Sequence, residues 1–308
     1  MTFQFAPLKL QQRLSSGVLS FPLSDFGSDG EFLPRAFSER VAWLCSFGPC
    51  VTIAAGGAGE FFSLTPAEYR PLLDAAIGGA PSGHPVLATV GYGTRVAMAQ
   101  AEEAEAAGAA GLLLLPPYLT DSPQRGLRAH IAAICKSTRL GVVVYNRANC
   151  RLSAETIAEI ADECPNFVAF KDGWGDTEEL LRIGAKLGDR VLVINGMPTA
   201  EVYAGAYFGM GIRSYSSAIL NFAPRAAMQF YDDVASGNRA GAARFIAEFL
   251  VPYGRIRSSQ PGYAVSIVKA GARLAGRDAG PVRPPLAELT QSECDLLSEL
   301  LSRLGPQD

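Results

Sequence analysis

The sequence predicts an α/β protein, a (β/α)8 barrel over residues 1–236 followed by a C-terminal helical extension over residues 237–308. Three observations carry that expectation. Eight short β-rich segments occur in series, each followed by a stretch of helical character, the pattern of a parallel sheet with crossover helices. Segments as apolar as Gly111-Leu112-Leu113-Leu114-Leu115 suit strands covered on both faces. No GxGxxG follows the first strand, which removes the usual reason to prefer an open dinucleotide-binding sheet, and a count of eight favours closure.

The strands are expected at residues 17–21, 50–54, 85–90, 111–115, 141–145, 167–171, 191–195 and 211–214. Between them, Thr65-Pro66-Ala67-Glu68 has the S/T-x-x-E capping box with proline at the first helical position. The alanine- and glutamate-rich stretch 97–107 stops at Gly108, a C-terminal cap. Ser153 is a good N-cap for 154–160, where apolar positions are spaced for one helical face. Residues 221–236 supply the eighth barrel helix; 241–253, 263–275 and 286–304 form the extension, with the proline-rich stretch 280–285 as a linker.

Composition narrows the class of function. With a formal charge of −3 the chain has no basic footprint for nucleic acid and no polybasic patch for a membrane surface. No apolar run reaches membrane-spanning length and no secretory leader pattern opens the chain, so a cytoplasmic protein is expected. The six cysteines are scattered without a CxxC pair and read as reduced. Only His84 and His130 are present, with no HExxH and no Cys/His cluster. No metal is therefore expected, and a Ser/His/Asp triad has little support without a GxSxG elbow.

In a barrel of this kind the chemistry lies at the C-terminal ends of the strands. Lys171 ends the apolar run Phe167-Val168-Ala169-Phe170. Desolvation there would disfavour the ammonium, and a neutral amine can form a Schiff base with a carbonyl. Alone, such a lysine reads equally as a structural ion-pair partner or one snorkelling to the surface. Its companions decide. Ala54-Ala55-Gly56-Gly57-Ala58-Gly59-Glu60 is a turn whose successive backbone N–H groups could hold a carboxylate. Tyr145 ends the fifth strand and Pro116-Pro117-Tyr118 follows the fourth. Asn195-Gly196 closes the seventh strand and Ser214-Tyr215-Ser216-Ser217 the eighth. An amine, a phenol and a carboxylate clamp are the minimum set for Schiff-base chemistry on a 2-oxo acid.

The GxxGE loop at 56–60, Tyr145-Asn146 and the lysine closing the sixth strand resemble the dihydrodipicolinate synthase / N-acetylneuraminate lyase family of class I aldolases. The resemblance spans essentially the whole chain. It implies Lys171 as the Schiff-base lysine, Tyr145 as the proton-shuttling phenol, and the amides of Gly57 and Ala58 as the clamp for the carboxylate beside the ketone. It also implies a homotetramer and no cofactor beyond the covalent lysine. Departures point to a branch. Synthases carry two threonines where Gly57 and Ala58 stand, and a second tyrosine where Leu119 stands. Their substrate-binding arginine falls at Cys150, with Arg151 one place away. By contrast the run 54–64, Tyr145-Asn146-Arg147, Phe170-Lys171-Asp172-Gly173 and Asn195-Gly196-Met197-Pro198-Thr199-Ala200-Glu201 resemble the branch that removes water and carbon dioxide from a six-carbon keto-diacid. Ala58 stands where that branch carries threonine. On this resemblance the partner is a small-molecule keto-diacid, Asn195 and Gly196 line its pocket, and Ser214, Ser216 or Ser217 orient its hydroxyls. Two other readings remain: a pyruvate-releasing aldolase acting on a 2-oxo-3-deoxy sugar acid, and a sugar-acid-binding protein with a dead site.

Overall fold

The computed structural model describes residues 5–307. Its strands are β1 (Ser16–Ser20), β2 (Val51–Ala54), β3 (Val86–Val90), β4 (Gly111–Leu114), β5 (Gly141–Asn146), β6 (Phe167–Asp172), β7 (Leu192–Asn195) and β8 (Arg213–Ser217). All pair in parallel with their sequence neighbours, and β8 closes the barrel on β1. Side-chain alternation explains why the strands read as continuously apolar. In β4, Leu113 points inward to pack with Leu19, Ile53, Leu87 and Val143, while Leu112 and Leu114 pack outward beneath the helices.

The crossover helices are α2 (Pro34–Cys45), α3 (Pro66–Gly79), α4 (Thr94–Ala107), α5 (Gln124–Lys136), α6 (Ala154–Glu163), α7 (Thr177–Leu187), α8 (Ala204–Gly209) and α9 (Pro224–Ser236). The capping box at Thr65 and Glu68, the left-handed Gly108 and the Ser153 cap all form as their residue types dictate. An element not foreseen, α1 (Pro7–Leu14), floors the barrel with fully buried Leu10 and Leu14. Its short amphipathic turn precedes the first strand and carries no capping signal.

The register of β8 differs from expectation. Gly211, at φ +84°, ends the turn after α8, so the strand begins at Arg213 and runs to Ser217 instead of ending at Ser214. Beyond α9 the chain forms α10 (Arg239–Phe245), α11 (Val251–Arg257), α12 (Tyr263–Leu274) and α13 (Gln291–Ser302). The helix expected over 241–253 is broken by a π-helical turn at Ile246–Leu250 just ahead of Pro252. A proline there has no N–H to continue the ladder. The last helix starts later than expected because Thr290, with Glu293, makes its capping box.

These C-terminal helices share a core with the barrel: Val18 and Leu23 pack in one cluster with Tyr253, Ile267 and Val268. Buried charge fastens them as well. Lys269 on α12 meets Glu60 of the β2 loop at 3.0 Å, both side chains fully buried, and Arg40 joins Asp25 at 2.7 Å while donating to the carbonyls of Arg277 and Asp278. Among the described residues no helix is long and apolar enough to cross a membrane.

Candidate active site

The parallel register puts Tyr145 of β5 beside Lys171 of β6 at the mouth of the barrel. Lys171 is only 3% exposed, and its Nζ lies 3.6 Å from the centroid of the Tyr145 ring and 5.4 Å from that of Phe21. Burial depresses the lysine pKa, partly opposed by the adjacent phenol. Room for this amine depends on Gly196. A Cβ there would sit 2.6 Å from both Cγ and Nζ of Lys171, so no other residue fits without displacing the lysine.

Tyr145 is held by two hydrogen bonds. Its hydroxyl donates to the Gly196 carbonyl at 2.8 Å and accepts from Nη1 of Arg147 at 3.0 Å. Burial works to raise the phenol's pKa, but the positive charges of Lys171 and Arg147 outweigh it and the net direction is down. The phenol is thus tuned toward exchanging a proton. Asp172, next along β6, braces the loops around it. Its carboxylate accepts from Asn146 Nδ2 at 3.0 Å, from the amides of Trp174 and Gly175, and from the Tyr207 hydroxyl at 2.5 Å.

The β2 loop begins with Ala55 at φ +55° and ends with Glu60 at the same angle. Between them the amides of Gly57 and Ala58 find no acceptor among the described residues. Both residues border a cavity of about 370 Å³ together with Lys171, Tyr145 and Gly196. Gly56 lets the loop pass Phe21 closely: a Cβ would stand 2.3 Å from the ring. Successive free N–H groups of this kind are able to hold an anion.

Six of the nine residues given a role in the sequence therefore meet at one cavity: Lys171, Tyr145, Gly57, Ala58, Gly196 and Ser216. Three do not. Asn195 is buried with its side chain committed to the backbone, donating to the Ala200 carbonyl at 2.9 Å and accepting from the Met197 amide at 3.1 Å. It shapes the loop after β7 and does not line the cavity. Ser214 pairs with Gly17 near the start of β8, deep below the mouth, a consequence of the shifted strand. Ser217 is fully buried and donates to Glu201 at 2.5 Å. Of the serines considered only Ser216 reaches the cavity. Tyr118 is 64% exposed and lies outside the lining.

The cavity also has walls the sequence did not single out. Arg147 was visible in its motif without a role. Glu201 likewise closed its motif without a role, and Tyr253, Arg257 and Val265 come from the extension. Only a three-dimensional arrangement could reveal the last three. The histidines lie elsewhere, each against a threonine hydroxyl, His84 on Thr52 at 2.9 Å and His130 on Thr94 at 2.8 Å. All six cysteines are free thiols.

Known proteins resemble this chain in sequence and in fold. A probable 5-dehydro-4-deoxyglucarate dehydratase of Pseudomonas putida is 49% identical over 98% of this chain and 99% of its own length. A protein of the same description from Polaromonas naphthalenivorans is 50% identical over the same shares. Among solved structures, a dihydrodipicolinate synthase from Oceanobacillus iheyensis superposes with a TM-score of 0.87 at 22% identity, covering 96% of this chain and 98% of its own. A prophage protein of the dihydrodipicolinic acid synthase family from E. coli, solved with pyruvate, gives 0.83 at 22% identity, over 95% and 99%. These two likenesses speak to the fold. The profile of the dihydrodipicolinate synthetase family matches residues 14–304, nearly the whole chain, and the chain belongs to that family.

Proposed function

We propose that this protein is a Schiff-base lyase, a dehydratase that converts 5-dehydro-4-deoxyglucarate to 2,5-dioxopentanoate, water and carbon dioxide. The observation that carries the reading is the desolvated Lys171 amine against Tyr145, in a cavity that also presents the unpaired Gly57 and Ala58 amides. Relatives at 49–50% identity over 98% of the chain bear that activity in their names, which favours it over a pyruvate-releasing aldolase.

The chemistry follows from the placement. Lys171 condenses with the C5 ketone, while the C6 carboxylate rests on the Gly57 and Ala58 amides. The protonated imine is an electron sink that acidifies the C4 protons, and Tyr145 takes one of them. The enamine expels the C3 hydroxyl, leaving an iminium conjugated through C3 and C4. When the C1 carboxylate departs as carbon dioxide, its bonding electrons flow along that system to nitrogen. Protonation and hydrolysis release the product and the free lysine. Burial of the amine helps at the outset, since the uncharged form is the nucleophile. The protein is taken to act in the cytoplasm on this small molecule, as the homotetramer that the family resemblance implies; light scattering would measure the latter.

A coupled assay for carbon dioxide and 2,5-dioxopentanoate tests the reading. Both should appear in equal amounts from 5-dehydro-4-deoxyglucarate. Pyruvate release with no carbon dioxide would assign the aldolase reaction instead, and no turnover with no trapped imine would leave a binding protein.

A further inference from the structure

Two glutamates are buried, one in the loop after β2 and one after β7, and they are treated differently. Glu60 is fully buried and has Lys269 at 3.0 Å. Glu201, in the helical turn Ala200–Tyr203 after β7, is 1% exposed and borders the cavity itself. Its hydrogen-bond partner is the Ser217 hydroxyl, at 2.5 Å, and no cation pairs with it among the described residues. A buried, unpaired carboxylate is costly, so such a group adopts the neutral form and becomes a hydrogen-bond donor. Burial accordingly pushes the Glu201 pKa up to about 7. The phenols nearest it, Tyr215 on β8 and Tyr253 on α11, are held neutral by their own burial and add no positive charge. A neutral carboxyl bordering a reaction cavity is the pattern of a general acid.

Resting on the dehydratase reading, we propose that Glu201 is a catalytic residue, the general acid that protonates the C3 hydroxyl as it leaves. In the elimination the enamine nitrogen's lone pair re-forms C5=N, and the C4=C5 electrons become the C3=C4 bond. The C3–O bond breaks with its electrons going to oxygen. The Glu201 O–H bond breaks at the same time and its proton completes the water molecule. The carboxylate left behind regains a proton from water before the next turnover. No oxidant, reductant or further co-reactant enters. Tyr145 serves a different proton, the one removed from C4, on the Lys171 side of the cavity.

The test uses Glu201→Gln in the full-length enzyme, with 5-dehydro-4-deoxyglucarate. The variant should still form the borohydride-trapped adduct at Lys171 and exchange C4 protons with deuterated water at close to the wild-type rate, while carbon dioxide release falls by about 10²–10⁴-fold. A C3-fluoro analogue, whose leaving group needs no proton, should be turned over by variant and wild type at rates within about tenfold. Carbon dioxide release within about threefold of wild type would overturn the proposal and give both protons to Tyr145. Parallel loss of adduct, exchange and release would also overturn it, because Glu201 would then only shape the site. Should the variant not fold, the wild-type enzyme carries the test. Turnover of the hydroxy substrate should fall as pH rises above about 7, and that of the fluoro analogue should not. Lys171, Tyr145, Arg147, Arg257 and Tyr253 border the same cavity, Tyr215 interacts electrostatically with Glu201 from the core behind it, and all act on both compounds alike, so matching profiles would refute the assignment. A wild-type enzyme that releases no carbon dioxide at all would instead sink the dehydratase reading.

Discussion

Tyr145 has a hydroxyl bonded to both the Gly196 carbonyl and Arg147, and a ring lying against the reactive amine. Tyr145→Phe keeps the ring and its packing but removes the proton carrier. Steady-state kinetics should show kcat reduced by about 10²–10⁴-fold with KM little changed. A change within about threefold would reduce the phenol to packing. Ala58 offers the opposite experiment. Ala58 borders the cavity, and on the proposed reading Ala58→Thr adds one hydroxyl to a seat that grips the same carboxylate in ground and transition states. KM should fall by no more than about tenfold, roughly 1.4 kcal/mol, with kcat unchanged. A large change in kcat would mean that position 58 takes part in the proton chemistry. At this scale the sequence was legible where a reactive side chain directly ends a strand, as with Lys171 and Tyr145. Glu201 stood in a motif without a role, because an acid in a loop looks solvated until the fold shows what covers it.

Elements matter here through their ends and their joints. The β2 loop owes its position to Glu60, which reaches Lys269 on α12 and accepts the backbone N–H of Arg283 at 3.1 Å. Lys269→Met preserves volume but leaves Glu60 buried beside an uncharged partner. Denaturant unfolding should show a loss of about 3–5 kcal/mol, the usual cost of breaking a buried pair from one side. A loss under about 1 kcal/mol would show that water reaches the pair. Strand ends set which serines could act. Residues 213–217 are polar apart from Tyr215 and contain no apolar run, so neither periodicity nor hydrophobicity fixed the register of β8. An error of three residues at the end of the strand carried Ser214 from the mouth to the barrel interior. Asn195 failed for another reason. It does stand at a strand end, but both ends of its amide are spent on the turn that follows.

For the whole molecule, closure was readable because strand and helix signals repeat eight times, and a repeated signal tolerates small errors in each copy. The floor helix α1 and the contribution of Tyr253, Arg257 and Val265 to the cavity were not readable, since both depend on how distant segments come together. Global stability should also carry the mark of Glu201. Its folded pKa of about 7 lies above the unfolded value of 4.5, so the folded state binds the extra proton between those pH values. That stability is fully present below about pH 4.5 and is lost as pH rises through about 7, a difference of about 3 kcal/mol. Relative to Glu201→Gln, the wild-type protein should therefore become progressively less stable between those limits, as followed by denaturant midpoints. A flat difference would place the carboxyl in water.

Lys171 as the Schiff-base nucleophile is the claim on which the rest stands. Sodium borohydride added with 5-dehydro-4-deoxyglucarate, followed by peptide mass analysis, reads it directly. The expected result is one stoichiometric adduct, located on Lys171 and missing from a folded, inactive Lys171→Ala protein. An adduct on another lysine, no adduct during active turnover, or sustained turnover by Lys171→Ala would contradict it.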